Sequence, residues 1–197
     1  MKTIYEILAD LFDYPVADWQ SRCDECHDLM NADGKSLASP FALFASETAK
    51  LSLSDLQELY TRTFDLSPVC ALDIGYHLFG ENYKRGIFLA NLRETEAHFE
   101  LGQAHQLPDH LPVLLRLLTR LDDQELRSAL IGDCMIPALE KMLKTLSEGE
   151  NPYRHLIAAV NTALTSEAIV YPETIQRAHL PILQASEFRA EANADLF

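Results

Sequence analysis

The feature that most constrains the fold of this chain is the helical spacing of its apolar residues. Five of them follow the i, i+3, i+4, i+7 pattern of an amphipathic helix in the first segment alone: Ile4, Ile7, Leu8, Leu11 and Phe12. Sustained alternation of apolar and polar residues, which is typical of strands, is nearly absent, and no Asn-Gly or Asp-Gly turn is flanked by β-branched residues. The pattern therefore predicts an all-α fold.

Caps and stop signals divide the rest of the chain into further helices. The predicted segments are Trp19–Met30, about 40–50, a helix capped by Ser54 with Gln57, then Leu72–Phe79, Tyr83–Leu101, a helix capped by Asp109, Gln124–Leu130, Ile136–Leu146 and Pro152–Leu164 with Asn151 as its cap. The periodicity fades after Ser166, and we expect 187–197 to form a flexible or loosely helical tail. The prediction is a single globular domain over residues 1–197 with about nine to ten helices.

Composition and charge exclude several classes of function. The chain has 197 residues, of which 48% are hydrophobic, enough for one well-packed core. A net charge of −14 argues against a nucleic-acid partner, because no basic surplus is present to displace the counterions of phosphates. No apolar run reaches the length of about 18–20 residues that a membrane span requires. Acidic residues from Glu6 onward interrupt any export signal, so we expect a cytoplasmic protein with reduced cysteines.

Cys23, Cys26 and His27 form a Cys-x-x-Cys-His sequence, which is the pattern of covalent haem attachment. Such attachment normally takes place outside the cytoplasm, and no second Cys or His pair follows nearby to complete a zinc site. We therefore expect these to be ordinary helix residues. A metal- or haem-binding helical protein that uses these three side chains is the alternative function.

Catalytic patterns are missing from the sequence. Cys70 and Cys134 have no motif around them, and Asp109 and His110, as neighbours at a helix start, would point in different directions. The glycine and lysine spacing around Gly80 and Gly86 does not fit a phosphate-binding loop. We predict that the protein is not an enzyme and needs no cofactor of its own.

Three central blocks place polar or glycine positions at the ends of amphipathic helices. They are Glu58–Asp65, Gly80–Gly86 and Leu107–Leu118. Glu81 and Arg85 are four residues apart and would pair if both were helical. Gly86 inside a helix costs up to about 1 kcal/mol relative to Ala, which favours close packing of another helix, or of a bound peptide, against it.

Together the blocks resemble the NarJ/TorD/DmsD family, the maturation chaperones of molybdenum enzymes, and most closely its NarJ-like members. The resemblance covers roughly residues 5–164 and is strongest over 56–118. It is carried by Gln57-Glu-Leu-Tyr60, Thr63-Phe-Asp65, His77, Gly80-Glu81, Arg85-Gly86 and Leu107-Pro-Asp-His-Leu-Pro112. The sequence departs from the NarJ pattern at Tyr83-Lys84 and Ile87–Leu89. The identity of the client therefore stays open between a nitrate reductase and a selenate-, chlorate- or hydrocarbon-oxidising relative.

The resemblance implies a TorD-like helical bundle without catalytic activity. Its partner would be the catalytic subunit of a molybdoenzyme of the dimethyl-sulfoxide-reductase family, bound through its N-terminal twin-arginine leader or a remnant of one until the molybdenum cofactor is inserted. The peptide-binding residues implied are Tyr60, Phe64, His77, Glu81, Arg85, Gly86, Asp109 and His110. Carboxylates such as Glu81 and Asp109 would attract the arginines of the leader. A homodimer formed by exchange of helices also stays open.

Overall fold

The computed structural model describes residues 2–32, 38–66, 68–102 and 105–170. Ten α-helices and two π-helical segments make up this part: α1 (Ile4–Asp10), α2 (Trp19–Ala32), α3 (Ala38–Thr48), α4 (Leu53–Tyr60), π1 (Thr61–Asp65), α5 (Ile74–Phe79), α6 (Tyr83–Glu96), α7 (Leu111–Leu118), α8 (Gln124–Ala129), π2 (Leu130–Met135), α9 (Ile136–Leu146) and α10 (Tyr153–Val170). Within these ranges no strand forms, and the predicted all-α fold is confirmed. The predicted tail at 187–197 lies outside the described residues.

Local sequence signals set several of the helix starts. Thr3 and Glu6 form a reciprocal capping box at α1, which satisfies backbone N–H groups that the first turn leaves unpaired. At α4 the capping box is formed by Ser52 and Asp55 rather than by Ser54 and Gln57, so that prediction was two residues late. The Asn151 side chain accepts a hydrogen bond from the backbone N–H of Tyr153, as predicted for the start of α10.

The core is built from the apolar faces of α1, α3, α7, α9 and α10. The α7 helix is buried along nearly its whole length and packs against α1, while α10 packs against both α3 and α9. Each apolar side chain removed from water here contributes on the order of 1.5–3 kcal/mol before the entropy cost of ordering. Tyr5, Glu167 and Arg127 add a hydrogen-bonded polar link from α1 through α10 to α8.

Several helix boundaries differ from the sequence predictions. The α6 helix ends at Glu96, and Gly102 adopts a positive φ of 80° beyond it, so the predicted end at Leu101 was wrong. His110, not Asp109, is the N-cap residue of α7, because the Asp109 carboxylate is used elsewhere. The α10 helix continues to Val170, past the predicted end at Leu164.

Candidate functional site: a groove beside a buried ion cluster

Asp109 is the centre of the candidate site, and its side chain is fully buried. Its Oδ2 atom accepts a hydrogen bond from the backbone N–H of Gly75 at 3.1 Å and another from Nε of Arg85 at 3.2 Å. Gly75 is the second residue of α5, so the Asp109 carboxylate caps a helix that begins 35 residues earlier in the chain, at Ile74. This bond fixes the start of α5 against the turn before α7.

Asp73 completes an ion cluster with Arg85, Asp109 and His110. Arg85 Nη2 lies 3.3 Å from Asp73 Oδ2, and Nδ1–H of His110 donates to Asp73 Oδ1 at 3.3 Å. Backbone hydrogen bonds run beside these side chains, from Ile74 N to the carbonyl of Asp109 and from Leu111 N to the carbonyl of Leu72. The resulting antiparallel bridge between Asp73 and His110 is the only β-type pairing in the described residues.

Gly75 is the position at which the site demands a glycine. A Cβ atom added there would lie 2.7 Å from Asp109 Oδ2 and 2.9 Å from a ring carbon of Phe88. Real side chains do not approach that closely, and the buried carboxylate cannot move without losing its partners. Gly75 therefore allows the carboxylate to reach the backbone of α5.

A groove of about 630 Å³ lies along α5 beside this cluster, and we call it the Tyr76 groove. It is lined by Pro68, Val69, Cys70, Ala71, Asp73, Tyr76, His77 and Thr145. Val69 and Tyr76 are 58% and 45% exposed, which leaves apolar surface available in a groove that also contains the Asp73 carboxylate. Nε2–H of His77 donates to the carbonyl of Ala71 at 2.7 Å, which holds the 68–72 loop against α5.

The environment shifts the pKa values of the carboxyl groups in opposite directions. Burial raises the pKa of Asp109, and the nearby charge of Asp73 adds to this, while the bonds from Arg85 and Gly75 oppose it. Burial also acts to raise the pKa of Asp73, but the hydrogen bond from His110 and the charges of His110 and Arg85 outweigh it, and the pKa falls below its usual range. Asp73 is thus the ionised partner of Arg85 at neutral pH.

Six of the eight predicted site residues fall into two groups. Arg85, Asp109, His110 and His77 meet at the ion cluster and the Tyr76 groove. Tyr60 and Phe64 instead pack in an aromatic cluster: their rings are 5.4 Å apart, and each contacts the buried Tyr153, at 6.2 and 4.7 Å. The two groups are joined through the backbone, where Cys70 N donates to the carbonyl of Thr63 at 3.0 Å.

Glu81 and Gly86 do not make the contacts within the chain that the sequence suggested. Glu81 precedes α6, so the helical condition for a Glu81–Arg85 pair is not met. Arg85 pairs with Asp109 and Asp73 instead. A Cβ atom built at Gly86 meets no atom of the described residues within 4 Å, so this glycine does not admit a neighbouring helix. Both residues lie on the surface, where a partner can reach them.

The buried position of Asp109 also changes its expected role. Its carboxylate is fully buried and already bonded to Arg85, so it is not placed to receive an arginine from a client peptide. Asp109 supports the groove and does not line it.

The Cys-x-x-Cys-His residues do not converge on a common point. Cys23 and Cys26 face the core from α2 and are 2% and 0% exposed, whereas the His27 side chain is 54% exposed beside Asp28. Burial raises the pKa of the Cys23 thiol to about 12, which disfavours the thiolate that a metal needs. Within the described part of the chain, no group of three or more His, Cys, Asp or Glu side chains is arranged to hold a metal ion.

Sequence reasoning missed Asp73, Gly75 and Tyr76. A glycine at the second position of a short helix is a usable signal, because Gly is unfavourable there unless something approaches closely. The hydrogen bond of Asp73 is to His110, which is 37 positions away in the sequence. The exposure of Tyr76 depends on tertiary packing. Neither is visible in a local pattern.

Among the described residues, no helix is both long enough and apolar enough to cross a bilayer. That finding agrees with the absence of long apolar runs in the sequence.

Comparison with known proteins points to one family. The chain is 25% identical over 162 residues to the probable nitrate reductase molybdenum cofactor assembly chaperone NarJ of Bacillus subtilis, covering 81% of this chain and 87% of that protein. It is 26% identical over 171 residues to the nitrate reductase molybdenum cofactor assembly chaperone NarJ of Escherichia coli K12, covering 83% of this chain and 72% of that protein. The names of these relatives describe assembly chaperones and not catalysts, in agreement with the prediction that the chain is not an enzyme.

The family model for the nitrate reductase delta subunit matches residues 27–157, which include all three central blocks and the whole ion cluster. The NarJ-like resemblance read from those blocks is confirmed by this match and by the relatives named NarJ. Because the match spans more than half of the chain, the protein belongs to the nitrate reductase delta subunit family.

Proposed function

We propose that this protein is an assembly chaperone that binds the N-terminal segment of a molybdoenzyme catalytic subunit in the Tyr76 groove. The client is a member of the dimethyl-sulfoxide-reductase family, with nitrate reductase as the first candidate. The bound segment is its twin-arginine leader or a remnant of one, held in the cytoplasm until the molybdenum cofactor is inserted. The groove beside the ion cluster, in a chain of this family, is the observation that supports the proposal.

The lining of the groove suits a peptide that has both apolar and polar side chains. Val69 and Tyr76 offer exposed apolar surface, and their burial by a peptide would contribute about 25 cal/mol per Å² before the cost of ordering the peptide. Asp73 and His77 add polar groups at the edge of that surface. A groove that combines apolar and polar surface and has few charges gives the moderate affinity that a chaperone needs in order to release its client.

The ion cluster gives the groove a fixed shape. Asp109 and Arg85 are anchored to each other and to the start of α5, so α5 presents Tyr76 and His77 in one orientation. The Arg85 guanidinium also lies over the Tyr76 ring, 5.8 Å from its centroid. A preformed surface pays less conformational entropy on binding than a disordered one.

Isothermal titration calorimetry tests the proposal directly. The ligand is a synthetic peptide that covers the N-terminal segment of the nitrate reductase catalytic subunit from the same genome. We expect binding at micromolar Kd or tighter, and about tenfold weaker binding by Tyr76→Ser, which removes a large apolar contact. Leu43→Ser, at a similarly exposed residue on α3, is the matched control and should bind as the native protein does. Absence of binding by the native protein would contradict the proposal.

A cellular assay separates binding from chaperone function. In cells that lack the chaperone, the native gene should restore reductase activity and molybdenum content of the catalytic subunit, whereas the Tyr76→Ser gene should restore less of both. The Leu43→Ser gene should behave as the native gene does. Equal restoration by all three genes would show that the groove is not used for maturation.

A further inference from the structure

The one carboxylate in the lining of the Tyr76 groove, among the residues that the structure describes, belongs to Asp73. Each of its oxygens already has a partner within the chain. Oδ2 lies 3.3 Å from Nη2 of Arg85, and Oδ1 accepts a hydrogen bond from Nδ1–H of His110 at 3.3 Å. A basic side chain of a ligand would therefore compete with two partners that are held in place.

The exposed ring of Tyr76 is also a poor contact for a second cation. The Arg85 guanidinium lies over this ring, 5.8 Å from its centroid. The face of an aromatic ring attracts a cation through its quadrupole, but a guanidinium already at the ring repels another positive charge that approaches it. The exposed 45% of Tyr76 is therefore left for apolar contact.

The edge of the groove at α9 carries a cation without a carboxylate partner. Nζ of Lys141 donates a hydrogen bond to the carbonyl of His77 at 2.7 Å, and Oγ1 of Thr145 donates to the carbonyl of Lys141 at 3.1 Å. Because His77 and Thr145 both line the groove, Lys141 lies at its rim. An ammonium group has three donors, and in the described part of the chain this one forms no ion pair.

A second lysine lies on the same part of α9. Lys144 is three positions after Lys141, which makes the two side chains neighbours on the helix surface, and both are exposed. The exposed carboxylates of Glu140 and Glu148 are each four positions from Lys144 and reduce its field. Lys141, which is bonded to the groove residue His77, is therefore the principal cation at this rim.

The charge that the groove leaves for a ligand is the opposite of the charge of the whole molecule. The chain has a net charge of −14, whereas the groove has a paired carboxylate at Asp73 and an unpaired ammonium at Lys141. Acidic surface elsewhere can attract the basic residues of a peptide from a distance. Within the groove, the free partner suits a negative charge.

From this geometry we propose that the Tyr76 groove selects an acidic residue: an aspartate or glutamate of the client segment pairs with Lys141, and an apolar side chain beside it packs against Tyr76. The occupant is the client segment of the proposed function, on which this inference rests. The inference adds the chemistry of the part that enters the groove. The basic residues of the segment lie outside the groove.

Calorimetry with two peptides tests this selectivity. One is the synthetic N-terminal peptide of the nitrate reductase catalytic subunit, and the other is the same peptide with asparagine and glutamine in place of its aspartates and glutamates. We expect the native protein to bind the amide peptide roughly threefold more weakly, as for the loss of an exposed ion pair. Lys141→Gln should bind the natural peptide with the same loss and should no longer discriminate between the two peptides.

Three further variants separate the charge of Lys141 from its bond to His77. Lys141→Arg keeps both the charge and a donor and should retain the discrimination. Lys141→Glu should weaken binding of the natural peptide further, yet it should bind a peptide with lysines in place of the acidic residues more tightly than the native protein does. Lys50→Gln, at an exposed lysine after α3, is the matched control and should leave both Kd values unchanged.

The opposing outcomes can be told apart. If the native protein binds both peptides equally well, the selectivity is overturned while the proposed function stands. If Lys141→Gln weakens both peptides by the same factor, the lysine acts only by holding α5 against α9, and the inference is overturned. If the native protein binds neither peptide, the proposed function fails and the inference fails with it.

Discussion

Asp109 is the residue whose loss we expect to cost most at this site. Asp109→Ala removes the cap of α5 and leaves the half-buried Arg85 with Asp73 alone, which should lower the free energy of unfolding by about 2–3 kcal/mol. Chemical denaturation measures this loss. Asp122→Ala, at an exposed residue after α7, is the control and should change the stability by less than about 0.5 kcal/mol. Equal stabilities of the two variants would show that the hydrogen bond from Gly75 to Asp109 does not stabilise the protein.

His77 should make the stability of the protein depend on pH. Burial lowers its pKa below 6.5, so the unfolded chain binds the proton more tightly than the folded protein does. The contribution of His77 to the free energy of unfolding is therefore lost as the pH falls from 6.5 through the folded-state pKa, and it is retained above 6.5. The bond to Ala71 and the charge of Asp73 oppose this shift, while Lys141 and Arg85 add to it.

The comparison of His77→Gln with the native protein isolates that effect. Glutamine can still donate to the carbonyl of Ala71 but does not titrate, so the stability of the variant should fall less on acidification over this range. Thermal unfolding followed across a pH series provides the measurement. A difference between the two proteins that stays constant with pH would exclude His77 as the titrating group.

Two glycines on neighbouring helices give opposite predictions at the scale of the element. Gly75→Ala in α5 places a methyl group against Asp109 and Phe88 and should lower the free energy of unfolding by about 1–3 kcal/mol. Gly86→Ala in α6 meets open space and should raise it by about 0.5–1 kcal/mol, because alanine is the better helix former. Denaturation of both variants side by side is the measurement, and effects of the same sign would contradict the account.

Gly86→Ala also tests whether α6 takes part in client binding. The family resemblance implies that Gly86 is among the peptide-binding residues, and the structure leaves its surface uncovered. If the client backbone lies against it, the variant should be more stable and yet bind the N-terminal peptide less tightly. Unchanged affinity would remove Gly86 from the site.

The helices themselves were largely predictable because they depend on short-range spacing. The apolar spacing of α1 and the Asn151 cap of α10 are local, and both are found as expected. The capping box of α4 was misplaced because Ser52 and Ser54 both offer an acceptable cap, and only the folded chain selects between them. The π-helical turns at 61–65 and 130–135 have no comparable local signature.

The site was less predictable than the fold, because it is formed by contacts between distant residues. Resemblance to a family indicated Arg85, Asp109 and His110, which do lie together. It could not show that Asp109 faces inward, or that Asp73, and not Glu81, is the second partner of Arg85. Those facts follow from the packing of α5 against α6 and against the turn before α7.

The charge of the whole molecule should govern how fast a client is captured. A net charge of −14 attracts basic peptides at long range, and salt screens this attraction beyond about 8 Å at physiological ionic strength. We expect the association rate of a basic N-terminal peptide to fall severalfold as salt rises from low to physiological concentration, with little change in its dissociation rate. Stopped-flow fluorescence measures both rates.

A peptide in which glutamine replaces the basic residues is the control for this experiment. Its association rate should be slower at low salt and nearly independent of ionic strength. If the two peptides respond equally to salt, the acidic surface does not steer the client, and its role is limited to solubility.

The bridge between Asp73 and His110 has a consequence for the synthesis of the protein on the ribosome. It joins segments that are 37 residues apart, and the cap from Asp109 to Gly75 spans 34. Until residue 111 has left the exit tunnel, α5 has neither its cap nor its backbone partner, and the Tyr76 groove has no fixed wall. Because Thr145 of α9 also lines the groove, we expect the proposed binding surface to be complete only after the chain has folded through α9.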